Sequence, residues 1–348
     1  MRIPGAASLR QAAKLFTYRF APRALILHYH RITELATDPH LLCVSPQHFA
    51  EQLEVVRKYT RIVRLQHLTQ ALCEGDLKTR TLVITFDDGY ADNLSHAKRL
   101  LAQYEIPATV FVTTGYIGHN REFWWDDLDR LLLQPGTLPE TLCLRINGAP
   151  FQYVLGAAAH YSAEDYQHQR GWNIGQPDEP GPRQHLFRTL WHLMYSLLEI
   201  ERQKVLDELQ LWAGAQPTVR PTHRTLAADE VVQLAAGDGV EVGAHTVTHP
   251  VLSSLTIEEQ RDEIRRSKAD LEELLGRSVL SFSYPHGLRS TYTGETVTLV
   301  QESGFTCACT SLVDGVQRGS DCLQLPRVLI RDWDGDEFAR YLWAFFRG

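Results

Sequence analysis

Residues 81–90 read TLVITFDDGY. Six apolar or β-branched residues, Thr81 to Phe86, form the kind of continuous run that marks a strand buried on both faces in a parallel sheet. Two adjacent aspartates, Asp87 and Asp88, follow it at once, and then a glycine. Adjacent carboxylates repel each other. A chain leaving a buried strand has reason to carry both only if something at the strand end uses them.

Similar runs recur along the chain: ALILHY (24–29), ATVFV (108–112), GVEVGA (239–244), VLSFSY (279–284), FTCACT (305–310) and RVLI (327–330). Helical patterns separate most of them. SPQHFAEQLEVVRKY opens on Ser45 and Pro46, a cap and first-turn pair. TIEEQRDEIRRSKADLEELLG has Thr256 and Glu259 in capping-box spacing and stops at Gly276. Seven strands alternating with helices predict a barrel-like α/β sheet, with chemistry gathered at the carboxyl ends of the strands. One region, roughly 126–225, breaks the rhythm. It holds a hairpin pattern (CLRINGAPFQYVL), a Gly/Pro loop (RGWNIGQPDEPGPR) and helical stretches near 183–198 and 199–213. We read it as a mainly helical insertion beside the active face of one catalytic domain spanning 1–348.

The 348 residues are 44% hydrophobic and 22% charged, with a formal net charge of -7. That is globular composition, and the acidic balance argues against a nucleic-acid surface. The six scattered cysteines read as thiols in a reducing compartment. The first 23 residues carry positive charge but no apolar run of signal-peptide length, so the expectation is a cytoplasmic protein. Residues 8–20 have the pattern of a short basic amphipathic helix, which allows peripheral membrane association.

The second chemical signal is HTVTH, with His245 and His249, directly after GVEVGA. If the backbone turns helically there, side chains four apart share a face and both imidazoles reach one metal. The spacing alone is weak. Two imidazoles and a strand-end carboxylate nevertheless make a facial set with open positions, suited to a catalytic divalent ion. Zinc is the default, and cobalt, nickel or manganese would accept the same ligands. Trp124, Trp125 and Asp126 form an aromatic-acid cluster that either binds a sugar or anchors the insertion. DWDGD (332–336) adds Trp333 as a further aromatic candidate. It is too short for a calcium loop.

TFDDGY, HTVTH and then FSYPHG (282–287) resemble, in that order, the motifs of the polysaccharide deacetylase family, carbohydrate esterase family 4. LILHYHRI followed by VSPQHFAEQL is similar to the exopolysaccharide-biosynthesis branch. The likeness covers roughly residues 24–125 and 226–331. It implies a distorted (β/α)7-type barrel. It also implies Asp88, His245 and His249 as metal ligands and Asp87 as general base. Tyr284, Pro285, His286 and Gly287 would form the oxyanion and substrate loop. Two departures stand out. The arginine that pairs with the base in better-known members is Ser283 here. The late Leu-x-His that supplies the acid reads LPRV (325–328). The branch likeness implies His30 as the acid. His28 competes, because residues two apart on a strand share a face. Arg327, grouped with Trp124, Trp125 and Asp126 around the substrate, is also a candidate for the missing arginine beside Asp87.

The function implied is removal of N-acetyl groups from an amino sugar of a glycan or a lipid- or nucleotide-linked precursor. Deacylation of another amide, such as an N-formyl group, uses the same machinery. A non-catalytic carbohydrate-binding pseudoenzyme is the alternative of a different class.

Overall fold

The computed structural model describes residues 23–119 and 121–347. The amphipathic pattern at 8–20 therefore lies outside the described residues. Seven strands carry the architecture: β1 (Arg23–Tyr29), β2 (Thr81–Phe86), β3 (Ala108–Val112), β4 (Val240–Ala244), β5 (Ser281–Ser283), β6 (Cys307–Cys309) and β7 (Val328–Leu329). All seven runs singled out in the sequence are strands. Each pairs in parallel with its neighbour in chain order, from β1 through β6. β7 returns to pair in parallel with β1, Leu27 opposite Val328. The sheet curls shut through the segment entering β7, where Leu325 bridges Cys309. The result is a (β/α)7-type barrel.

Strand periodicity sorts the side chains into two layers. Leu25, Leu27, Tyr29, Leu82, Ile84 and Phe86 point outward and pack under the surrounding helices. Ala24, Ile26, Val83, Phe111, Cys307 and Cys309 point inward and fill the barrel. Gly243 is needed on the inner side, because a Cβ there would lie 2.5 Å from the Phe111 ring. Continuing the inward parity to the carboxyl ends brings His28, His30, Asp87, His245, Ser283 and Arg327 to the same mouth. The site is thus a direct consequence of a period of two on five different strands.

Residues 136–212 form a layer of their own above the helix Trp124–Leu132. Its hairpin pairs Thr141–Ile146 with Ala149–Val154. Asn147 and Gly148, both at positive φ, make the two-residue turn. The helices Pro182–Met194 and Glu199–Trp212 bury Leu186, Phe187, Leu190, Val205 and Leu209 against Trp124, Leu128 and Leu132. Arg202, almost fully buried, ties the two helices by donating to the carbonyls of Met194 and Leu197, and its guanidinium lies 5.2 Å from the Trp124 ring. The layer therefore has its own apolar core and meets the barrel through the aromatic residues next to the mouth.

One backbone contact links this frame to the HTVTH loop. The Gly115 N–H donates to Val247 O at 2.8 Å, and a Cβ at Gly115 would sit 2.4 Å from that same oxygen. Gly115→Ala is expected to destabilise the fold by ~1–3 kcal/mol through overpacking, measured by urea denaturation. Unchanged stability would mean the contact is slack.

Candidate active site

Asp87 ends β2 on the inward side and is 2% exposed. Arg327 reaches it from just before β7 in a two-pronged pair, Nη1 to Oδ1 and Nη2 to Oδ2, both at 2.7 Å. The remaining donors of Arg327 go to Thr310 O, Thr85 Oγ1 and Ser283 Oγ, so all five guanidinium hydrogens have acceptors. Ser283 in turn donates to Asp87 Oδ2 at 3.0 Å. His28 Nε2 lies 2.9 Å from the same oxygen. Burial pushes the Asp87 carboxyl up, but the charge of Arg327, those of His28 and His245, and the hydrogen bonds from Arg327 together outweigh it and hold Asp87 well below the usual carboxylate range. Asp87 is thus a fixed carboxylate that rests in its ionised form.

Asp88 is built differently. Its φ is +75°, followed by Gly89 at +81°, so the backbone turns left-handed immediately after the strand. The turn swings Asp88 out of strand parity toward the two histidines of β4 and its loop. Its Oδ1 stands 3.6 Å from His245 Nε2 and 3.5 Å from His249 Nε2. Asp88 Oδ1 and His245 Nε2 are buried with no hydrogen-bond partner among the described residues. Burial, and then the charge of Asp87, raise Asp88 well above its ordinary value.

HTVTH is not helical. Thr246 and His249 both have positive φ, at +62° and +56°. The loop is clamped instead. Thr246 Oγ1 accepts the His249 N–H, and the Glu263 carboxylate accepts from Val247 N, Thr248 N and Thr248 Oγ1. The histidines converge because the loop is pinned, not because a helical face aligns them. With Asp88 and His286 (φ +60°), four non-glycine residues at the mouth hold left-handed backbone, each costing roughly 1–2 kcal/mol. Strain gathered in one place marks a functional site.

Those three side chains fit a metal. Their ligand atoms lie within 4.8 Å of one another. Ligands about 2.1 Å from a tetrahedral ion sit roughly 3.4 Å apart, close to the 3.5 and 3.6 Å separations here. His245 also has the expected support, its Nδ1 lying 2.7 Å from Ser283 O. A second grouping, His28, His30 and Asp87, is also compact. It fits an ion poorly, because both Asp87 oxygens are already held by a cation.

The mouth opens into a cavity of about 190 Å³. Both aspartates, His28, His30, His245 and His249 line its floor. Trp124, Trp125 and Trp191 line it from the insertion side, together with His40, Leu42, His286 and Ser311. His30 stands in this pocket with its ring 4.4 Å from that of His28. His28 is engaged at Asp87, whereas His30 faces the cavity.

Other candidates are placed differently from the sequence expectation. Arg327 does not face the substrate; it is fully buried behind Asp87, where it fills the position of the missing arginine. Asp126 does not line the pocket either, since its carboxylate accepts the Tyr90 hydroxyl at 2.7 Å. Trp333 lies outside it, packed 4.9 Å from Tyr341 on the last helix. In the third motif, Tyr284 is buried on Tyr292 and donates to Leu323 O. Pro285 and Gly287 shape the turn, with Gly287 (φ +63°) so close to Ser311 that a Cβ would sit 2.4 Å from its nitrogen. His286 alone of the four reaches the pocket, its ring against His249 and Tyr195. Sequence reasoning missed Tyr90, His40 and Trp191. Tyr90 lay in plain view within TFDDGY; the other two carried no local signal.

The polysaccharide deacetylase family model matches residues 74–137 and 209–308, skipping most of the insertion. Its two matched segments contain Asp87, Asp88, His245 and His249. Across these segments the chain carries a polysaccharide deacetylase domain. Over 121 residues it is 25% identical to YxkH of Bacillus subtilis (strain 168), a polysaccharide deacetylase by name; the match spans 34% of this chain and 42% of YxkH. Among solved structures, the deacetylase PplD of Streptococcus pyogenes, in complex with acetate, is 16% identical with a TM-score of 0.57, covering 92% of this chain and 99% of that one. IcaB from Ammonifex degensii is 18% identical with a TM-score of 0.57, covering 94% and 98%. Likeness at this identity concerns the fold, and extends through the family's barrel to nearly the whole chain.

Two tests follow from the electrostatics. Removing Arg327 leaves Asp87 as an unpaired buried charge, so Arg327→Ala is expected to cost ~3–5 kcal/mol in urea denaturation. Arg327→Lys should recover only part, because an ammonium cannot pair in two-pronged fashion. Equal stability of all three proteins would contradict the clamp. In the metal-free protein, burial depresses His28 to about 4, and His40 and His286 to about 3. Unfolded imidazoles bind protons near pH 6.5. At these three positions the unfolded chain therefore binds more protons than the folded one below that pH, and the stability they contribute above it falls as pH drops toward 4, outweighing the opposite contribution of buried Asp126, raised to about 7. A melting temperature of metal-free protein that does not fall between pH 7.5 and 5 would contradict this.

Proposed function

We propose that this protein is a metal-dependent hydrolase that removes the N-acetyl group from an amino sugar of a glycan or glycan precursor. The observation that carries the reading is the division of two neighbouring carboxylates. Asp87 is held ionised by Arg327, while Asp88 faces two imidazoles with an unpartnered oxygen. The match to the polysaccharide deacetylase model supports the reaction class, and acetate bound to PplD is the product expected for such a reaction.

Asp88, His245 and His249 would hold the ion. A divalent ion there supplies Lewis acidity toward the amide carbonyl and lowers the pKa of water. Asp87, fixed by Arg327 and resting ionised, is placed to accept the proton of an attacking water. The His286 backbone N–H, which makes no hydrogen bond among the described residues, is available to the developing oxyanion. Burial, and then the His28 charge, hold His30 well below its ordinary range, so His30 is placed to relay to the leaving amine the proton that Asp87 takes from water rather than to supply one of its own. Trp191, half-buried on the insertion side of the pocket, offers aromatic surface for a sugar ring, whereas Trp124 is buried in the core of the insertion and anchors it. A cavity of about 190 Å³ walled on one side by the insertion suits a single sugar unit, including one on a lipid- or nucleotide-linked precursor, better than a long polymer.

Asp87→Asn is expected to lower kcat by at least ~100-fold while metal content stays at the wild-type level. Stripping the ion with a chelator should abolish turnover, and zinc should restore it. The assay is release of acetate or formate from a panel of N-acetyl and N-formyl amino sugars. Formate alone would move the reading to a deformylase. Metal-loaded protein that binds sugar and releases neither acid would make it a binding protein.

A further inference from the structure

The two candidate metal histidines are held in different ways. His245 has its Nδ1 against the Ser283 carbonyl. A metal-bound histidine nearly always has such a partner, because it fixes the ring and its tautomer. His249 has none: its Nδ1 is buried and unpartnered among the described residues. Its ring is boxed by aromatic groups instead. Trp125 meets it edge-on at 5.1 Å between ring centres, His286 at 4.7 Å and Phe123 at 6.3 Å.

Trp125 is itself fixed on every side. It stacks on Phe123 at 4.5 Å with an interplanar angle of 5°. Its indole N–H donates to Tyr90 Oη at 2.9 Å, and that hydroxyl donates onward to Asp126 Oδ2 at 2.7 Å. The Tyr90 ring is pressed under the Arg31 guanidinium at 4.1 Å, and Arg31 is anchored by Nε and Nη2 on Asp92. Tyr90 and Arg31 are almost fully buried, and Trp125 and Asp126 are at most 9% exposed. Such a chain of buried, satisfied groups holds one geometry.

We propose that Asp126, Tyr90 and Trp125 are positioning residues for His249, supplying by packing what a hydrogen bond supplies to His245. This rests on the metal reading of Asp88, His245 and His249. It gives Trp125 and Asp126 a role other than the sugar contact expected from the sequence. It also explains why a tyrosine that reaches no substrate follows the aspartate pair by two residues.

The full-length protein is stripped of metal, and zinc affinity is measured by competition with a chromophoric chelator. Wild type is expected to bind one zinc per chain. Tyr90→Phe removes the acceptor of the indole N–H, and Asp126→Ala removes the acceptor of the tyrosine hydroxyl. Each should raise the zinc Kd by ~10–100-fold, the range for lost support of a ligand. Asp126→Asn keeps an acceptor and should stay near wild type. The double variant Tyr90→Phe/Asp126→Ala should be little worse than Tyr90→Phe, since the links act in series. KM of zinc-saturated Tyr90→Phe should not move. Unchanged Kd in folded variants overturns the proposal, as does a raised KM with unchanged Kd, which would make these residues substrate contacts. If Tyr90→Phe fails to fold by circular dichroism, Trp125→Phe, which keeps the stacked ring but lacks the N–H, takes its place with the same expectation. A wild type that binds no zinc at these three ligands removes the metal reading itself.

Discussion

The pairing of Arg327 with Asp87 is the interaction on which the rest of this site depends. A buried ion pair costs desolvation on both sides and is worth keeping only when every hydrogen-bonding group is satisfied. Here the five donors of the guanidinium all have acceptors, from four different parts of the chain. Arg327 sits on the segment that closes the barrel, between the bridge at Leu325 and β7. Closing the sheet and charging the site are therefore one event: the barrel cannot shut in this register without delivering the cation to Asp87.

With Asp87 committed to Arg327, its neighbour is left with a charge problem. Burial and the adjacent carboxylate raise Asp88, and left-handed backbone turns it toward two imidazoles rather than back to the arginine. Ligand atoms that are strained, buried and unpartnered among the described residues form an arrangement that a cation would stabilise. The surrounding loop is built to hold that arrangement. Glu263 clamps the chain between the two histidines, and the aromatic groups next to the insertion press on His249. The insertion thus walls the pocket, while the segment that leads into it, Phe123 and Trp125, packs against His249.

Much of this was legible in the sequence because a strand buried on both faces leaves a continuous apolar run. All seven strands announced themselves in that way, and with them the mouth where Asp87 and Asp88 lie. Period two made His28 and His30 share a face, yet could not say which one touched Asp87. That depends on how far β1 projects past β2, a register of partners almost 60 residues apart. Ser283 looked like a lost arginine. In three dimensions it is a hydroxyl bridging Asp87 and Arg327, and Arg327 reaches the same place from the opposite side of the closure. Trp333 and Asp126 looked like exposed aromatic-acid clusters because packing partners distant in sequence, Tyr341 and Tyr90, leave no local trace. HTVTH suggested a helical face, whereas side chains at positive φ converged through a loop that only its hydrogen bonds define.

A crystal structure of the metal-loaded protein with anomalous diffraction at the metal edge tests the central claim most directly. The account predicts one ion per chain, about 2.0–2.2 Å from Asp88, His245 and His249, with Asp87 still paired to Arg327 and outside the coordination sphere. An ion bridging both aspartates, or one seated among His28, His30 and Asp87 with Arg327 displaced, would contradict it.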